Sequence, residues 1–371
     1  MSFDEMRFAL EAATGGKNTL ILDNAGLPSV MVRIPRFNWS EVIEGGEDTP
    51  CSAFIAGGKI YDCIYISKYL NIIEGGRAYS LPNRDPAHTV TIDEARAACA
   101  AKGPGWHLLT NAEWMAVAHW CVQNRTVPRG NSSFGRSHEC IHEHGILSQQ
   151  NRGTGTEDEM RTLSGSGPSS WNHDGTDAGI ADLNGNIWDW VAGLRVVDGE
   201  IQIIPDNDSA LNVDESPEST CWKAILADGT TAAPGTPGTL KYDGVNPGLS
   251  DPDDRVTGDG FLLNNEIRNF NYTGSEQDTS HRAYGWMRFF DMKPAEGICP
   301  SVRLQELGIF PRTDGYRDGG YLFLRNYGER IAARGGSWFD HDGGGLFDLY
   351  LRETRAFLYP DIGFRAAYIQ L

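Results

Sequence analysis

Polar and apolar positions along the chain change period several times, and the changes mark out elements. Residues 4–13, DEMRFALEAA, carry a short helical pattern, and VMVRIP at 30–35 alternates like a strand. KIYDCIYISKY at 59–69 is mostly apolar and aromatic and predicts one further strand. VTIDEARAACAAKG predicts a helix with Thr91 as its N-cap and Gly103 as its stop. LLTNAEWMAVAHWCVQN repeats that design, with Thr110 capping and Glu113 completing a capping box. In FDLYLR, Phe347, Leu349 and Leu351 alternate with Asp348, Tyr350 and Arg352, so a strand there buries the first three and presents the others.

Between these elements regular patterning thins. PRGNSSFGRS, GTGTEDEM, SGSGPSSWNHDGTDAG, DGTTAAPGTPGTLKYDG and NPGLSDPDD read as loops, and the 44 glycines fit a loop-rich α+β protein. Residues 196–282 hold 16 acidic and 5 basic side chains, which supplies −11 of the net charge of −18. We expect this stretch to be a solvated insertion in one elaborated domain, because long loops of this composition seldom form a core of their own. The chain shows no internal repeat.

The charge excludes partners. Nucleic-acid binding draws on clustered Lys and Arg, and a net charge of −18 opposes both a phosphate backbone and an anionic membrane surface. Seven cysteines without a C-x-x-C pair give neither a zinc ribbon nor a disulfide framework, so reduced, mostly buried thiols are expected. There is no apolar run of membrane-spanning length and no signal-peptide pattern, which points to a cytoplasmic or phage-virion location.

Two motifs bear on metal chemistry. His138-Glu139-Cys140-Ile141-His142 has the H-E-x-x-H form, which on a helix sets two zinc ligands on one face beside a general-base Glu. Its flanks oppose a helix, since it emerges from NSSFGRS and ends at Gly145; the alternative is a polar surface loop. In DLNGNIWDW, Asp182, Gly185, Ile187 and Asp189 offer carboxylate and carbonyl oxygens around a tight turn, a candidate structural calcium site. The plain reading, with Trp188 and Trp190 as core anchors and the polar side chains tying the turn, stands level with it.

Four blocks then occur in order: Leu108-Leu109-Thr110-x-Ala112-Glu113-Trp114, Gly185-Asn186-Ile187-Trp188-Asp189-Trp190, Arg334-Gly335-Gly336-Ser337-Trp338 and Gly363-Phe364-Arg365. Together they resemble the formylglycine-generating-enzyme branch of the C-type lectin fold. Active members of that branch oxidise a substrate cysteine with a cysteine pair lying between the last two blocks, but this chain has no cysteine after Cys299. Without a thiolate to exchange with substrate or bind copper, that chemistry is not expected. A narrower resemblance fits better: the variable proteins of diversity-generating retroelements, found in phages and prokaryotes. It rests on Gly328-Glu329-Arg330, Arg334 to Trp338, Gly345-Leu346-Phe347-x-Leu349-x-Leu351, Arg355 and Ile362 to Arg365.

The resemblance implies an α+β, C-type lectin fold over 28–371, with residues 1–27 serving assembly or attachment and 334–368 as a variable cassette. It also implies diversification at template adenines. An AAY codon reaches Phe, Asp, His, Gly, Tyr, Arg, Ala, Leu and Pro, and the candidate positions between the anchors are all of these types, whereas Glu353 is not. They are Phe339, Asp340, His341, Gly343, Gly344, Asp348, Tyr350, Arg352, Ala356, Phe357, Leu358, Tyr359, Pro360 and Asp361. Their mix of aromatic and charged side chains resembles a paratope. The expectation is therefore a non-enzymatic ligand-binding protein that requires no cofactor. Its partner would be a protein or other macromolecule, it would insert in no membrane, and a homo-oligomer is a candidate state. A zinc hydrolase at His138 and His142 and a structural virion protein are the alternatives.

Overall fold

The computed structural model describes residues 2–148, 160–245, 260–268 and 282–371. The loop residues 153–159, the NPGLSDPDD segment, and the acidic residues within 246–259 and 269–281 lie outside them. Four α-helices and many short strands make a β-rich α+β architecture among the described residues. None of these helices is long and apolar enough to cross a membrane.

Helix α1, Phe3–Ala13, starts at a capping box in which Ser2 and Glu5 satisfy each other's backbone N–H groups. None of its residues is buried, and Glu11 ties it to Thr19 of the next strand. Helix α2, Ile92–Ala100, is capped by Thr91 and Glu94 in the same way. Helix α3, Asn111–Asn124, uses Thr110 and Glu113, and ends not at a glycine but at Arg125, held in the left-handed region at φ 58°. Nearly every residue of α3 up to Cys121 is buried, so it is a central helix packed on all sides.

A five-stranded antiparallel sheet runs in the order Asn18–Leu22, Pro28–Pro35, Cys63–Ser67, Ala366–Tyr368, Trp106–Leu108. The stretch expected as a single strand over 59–69 is broken at Tyr61–Asp62, and only its second part joins this sheet. A second sheet of twelve described strands carries the cassette. Along its main path lie Tyr284–Arg288, Tyr321–Arg325, Leu349–Leu351, Glu329–Arg334, Trp188–Val197 and Glu200–Ile203. Ile362–Phe364 pairs in parallel with Trp188–Trp190, after which the chain crosses to the first sheet. Arg365 sits at that crossing.

The acidic stretch is not a solvated insertion in its described part. Its strands Glu200–Ile203, Lys223–Ile225, Lys241–Gly244 and Phe261–Asn264 belong to the larger sheet, and Ile201, Ile203, Ile225, Tyr242 and Leu263 are core residues. Acidic side chains cluster in its turns, while the short runs between them face inward. Where a carboxylate does go inside it is paired: buried Asp243 accepts from Arg268, and Glu200 accepts from Gln202 and Thr239. All seven cysteines are free; Cys51, Cys99 and Cys121 are buried, and the other four are partly or fully exposed.

Candidate functional site

Three arginines hold the cassette backbone. Arg334 is fully buried; its guanidinium donates to Asn111 Oδ1 at 3.1 and 2.7 Å, to the Gly308 carbonyl at 3.1 Å and to the Asp348 carbonyl at 3.2 Å. Arg355 grips both oxygens of Glu329 at 2.8 and 2.9 Å and reaches Asp93 of α2 at 2.9 Å. Arg365 donates to Asp189 Oδ2 at 3.0 Å and to the carbonyls of Ala181 and Asp182, each at 2.9 Å. Burial lifts the Asp189 carboxyl to about 6, and Arg365 limits the rise. Such planar forks fix backbone geometry because each arginine satisfies several acceptors at once.

Leu349 and Leu351 are wholly buried, as is Phe347, and each contributes roughly 2–3 kcal/mol of apolar burial. The alternating partners divide differently from the sequence expectation. The strand starts at Leu349, so Asp348 lies ahead of it, turned inward, with Oδ1 accepting from the Tyr321 N–H at 2.6 Å. Burial first, then Asp340 and Asp318, push its carboxyl well above the usual carboxylate range. Tyr350 is half-buried against Trp188 at 5.0 Å and Phe323 at 5.7 Å, and Arg352 lies over the Tyr284 ring at 4.7 Å.

The loop after Trp338 presents Phe339 and His341, both exposed. Asp340, half-exposed, accepts from Ser337 N at 2.6 Å and Ser337 Oγ at 2.8 Å, which closes the turn. Gly343 and Gly344 are buried and carry no display: a Cβ at 343 would meet the Tyr321 ring at 2.9 Å, and one at 344 would lie 3.0 Å from Asn184 Oδ1. The second loop presents Ala356, Leu358 (48% exposed) and Tyr359 (54% exposed). Phe357 is half-buried on the core and stacks on Tyr359 at 6.0 Å, with 15° between the planes. Pro360 is half-buried, and Asp361 is only 8% exposed, its carboxyl pushed up to about 7 by burial and by Asp340. The four residues Gly343, Gly344, Asp348 and Asp361 are thus scaffold, not surface.

Residues outside the cassette brace it. Arg161 lies over the Trp338 ring at 5.7 Å, donates to the Pro360 carbonyl at 3.3 Å and contacts His88 at 3.0 Å, which joins the two loops. Phe134 N donates to the Trp338 carbonyl at 2.7 Å, and His341 N donates to the Ser132 carbonyl at 2.8 Å. Phe134 and His341 are both in the left-handed region, at φ 52° and 53°, at a cost of about 1–3 kcal/mol each for residues with a Cβ. Phe134 falls in a segment whose pattern is that of a loop, and its one local signal is a large apolar side chain amid Ser, Ser and Gly. Arg161 had no local signal, since its partners are distant in the chain.

The H-E-x-x-H motif lacks the helix that its zinc geometry requires. His138 to His142 lie in bends and turns, not on a helix. His138 Nδ1 is 2.7 Å from Ser132 Oγ, and His142 faces Cys140 Sγ at 3.5 Å. At the DLNGNIWDW turn the Arg365 guanidinium already takes the Asp182 carbonyl and one Asp189 oxygen, and Asp182 Oδ2 accepts from Ser164 and Gly165. Of the oxygens that Asp182, Gly185, Ile187 and Asp189 offer, Arg365 thus already holds two, while Asp189 Oδ1 is buried with no hydrogen-bond partner. Among the described residues, no group of three or more His, Cys, Asp or Glu is arranged to hold a metal ion.

No family model and no curated protein matches the chain. Among solved structures it is similar to Treponema denticola variable protein 1, at 11% identity over 95% of this chain and 98% of that one, with a TM-score of 0.31.

Proposed function

We propose that this chain is a non-enzymatic ligand-binding protein whose site is the C-terminal cassette, with a C-type lectin-type scaffold of the kind used by retroelement variable proteins. One observation supports this most: Phe339, His341, Ala356, Leu358 and Tyr359 all point to solvent from two loops whose ends are fixed by buried or clamped arginines. Clustered exposed aromatics on a rigid frame are the composition of a recognition surface. The display set is these five, with Asp340, Tyr350, Arg352, Phe357 and Pro360 at its partly buried edge. The ligand is a protein or other macromolecule, and the setting a phage receptor-binding protein or a cell-encoded display protein.

The test is a library of the full chain in which positions 339, 341, 356, 358 and 359 are randomised together. Folded variants should predominate by circular dichroism, and selection on lysozyme should return binders whose affinity is lost when the five positions revert. A library that mostly unfolds, or that yields no binder, would overturn the reading.

A further inference from the structure

The ring that meets His341 does not come from the cassette. Phe134 lies 5.7 Å from it, centroid to centroid, at 62°, and is 46% exposed in a loop of otherwise small and polar residues. Its backbone is held left-handed, where a bulky side chain is seldom found. Core burial does not offset that cost, because nearly half the ring faces water. The loop is nevertheless rigidly built: Asn131 Oδ1 accepts from Gly135 N at 2.7 Å, Ser132 N donates to the Arg136 carbonyl at 3.0 Å, and two backbone hydrogen bonds join the loop to the Trp338–His341 segment. A strained residue that is held firmly and shown to solvent beside a binding loop is a mark of function.

We infer that Phe134 is a constant ligand contact: an apolar anchor, shared by every cassette sequence, that takes an apolar side chain of a protein ligand next to position 341. This rests on the display reading above. The chemistry favours a protein over a sugar. One oxygen of each neighbouring carboxylate is already taken, Asp340 by Ser337 and Asp342 by Arg288 at 2.6 Å, whereas Phe134 and Phe339, 46% and 39% exposed, leave apolar ring area at the loop that carries His341. Aromatic anchors of this kind dominate protein–protein affinity.

The experiment uses cassette-library binders selected separately on lysozyme and on serum albumin. Into each goes Phe134→Asn, which removes the ring but tolerates the left-handed backbone, and Phe134→Tyr, which keeps the ring. We expect Asn to weaken binding roughly tenfold or more for binders to both proteins and Tyr to stay within about threefold. Phe134→Trp in the lysozyme binders, read as the difference spectrum against the parent Phe134 binder with and without lysozyme, should show a blue shift of the added indole emission, a readout of ring burial at this position. Affinities within about twofold for Phe134→Asn, or no emission shift, would overturn the inference while leaving the display reading intact. Failure to obtain any binder overturns the display reading and this inference with it.

Discussion

Replacing Asp361 by Asn removes a charge from a place water scarcely reaches. Folded, the carboxyl is pushed up to about 7 by burial and by the neighbouring Asp340; its ordinary value is 3.8. Between those two values the folded chain holds a proton that the unfolded chain has released, so stability falls as pH rises through that window. The contribution is fully present below 3.8 and is lost above about 7. At about 1.4 kcal/mol per pH unit, the gap corresponds to roughly 4 kcal/mol, a large share of the ~5–15 kcal/mol typical of a folded domain. Asparagine has no charge to lose and keeps the shape. Urea unfolding of wild type and Asp361→Asn at a series of pH values from 4 to 8 reads this group together with its coupling to Asp340, since Asp348 and the other buried carboxyls are common to both chains. The variant should match wild type near pH 4 and exceed it by up to roughly 4 kcal/mol at pH 8. A difference that does not change with pH, or a variant less stable at pH 8, would refute the argument that Asp361 is a buried scaffold residue.

Arg365→Met should cost about 3–5 kcal/mol in the same assay, because it strands the buried Asp189 carboxylate and two backbone carbonyls; a loss under about 1 kcal/mol would show the pair to be dispensable. Tyr350→Ala removes ring contacts to Trp188 and Phe323 and should cost about 2–4 kcal/mol, whereas exposed Tyr359→Ala should stay within about 0.5 kcal/mol; equal effects would contradict the division into frame and surface. At the left-handed position 341, thermal melts should rank Gly and Asn at or above His, with Ile lower by about 1–2 kcal/mol. An Ile variant as stable as wild type would mean that the loop relaxes.

Helices α1, α2 and α3 were legible in the sequence because their signals are local: a Ser or Thr cap, a Glu three residues on, and a helical apolar period. The buried Leu349 and Leu351 were legible for the same reason, since side-chain alternation is a property of the strand itself; Phe347 is buried as well but lies ahead of the strand. Alternation misplaced Asp348 because the strand begins at Leu349, two residues later than the pattern suggests, and the turn before it obeys no period. The acidic stretch misled because net charge averages over turns and short strands, hiding Ile201, Tyr242 and Leu263 between carboxylates.

By itself the sequence determined which segments can be helix or strand, which positions between the cassette anchors are free of regular apolar demand, and that no cysteine follows Cys299. Tertiary structure alone decided which of those free positions reach solvent. It buried Asp361 and Gly343, brought Arg161 between the two loops, and set Phe134 against His341, all through contacts between residues far apart in the chain. Exposure and pairing of that sort depend on how distant elements pack, and no local pattern of residues encodes them.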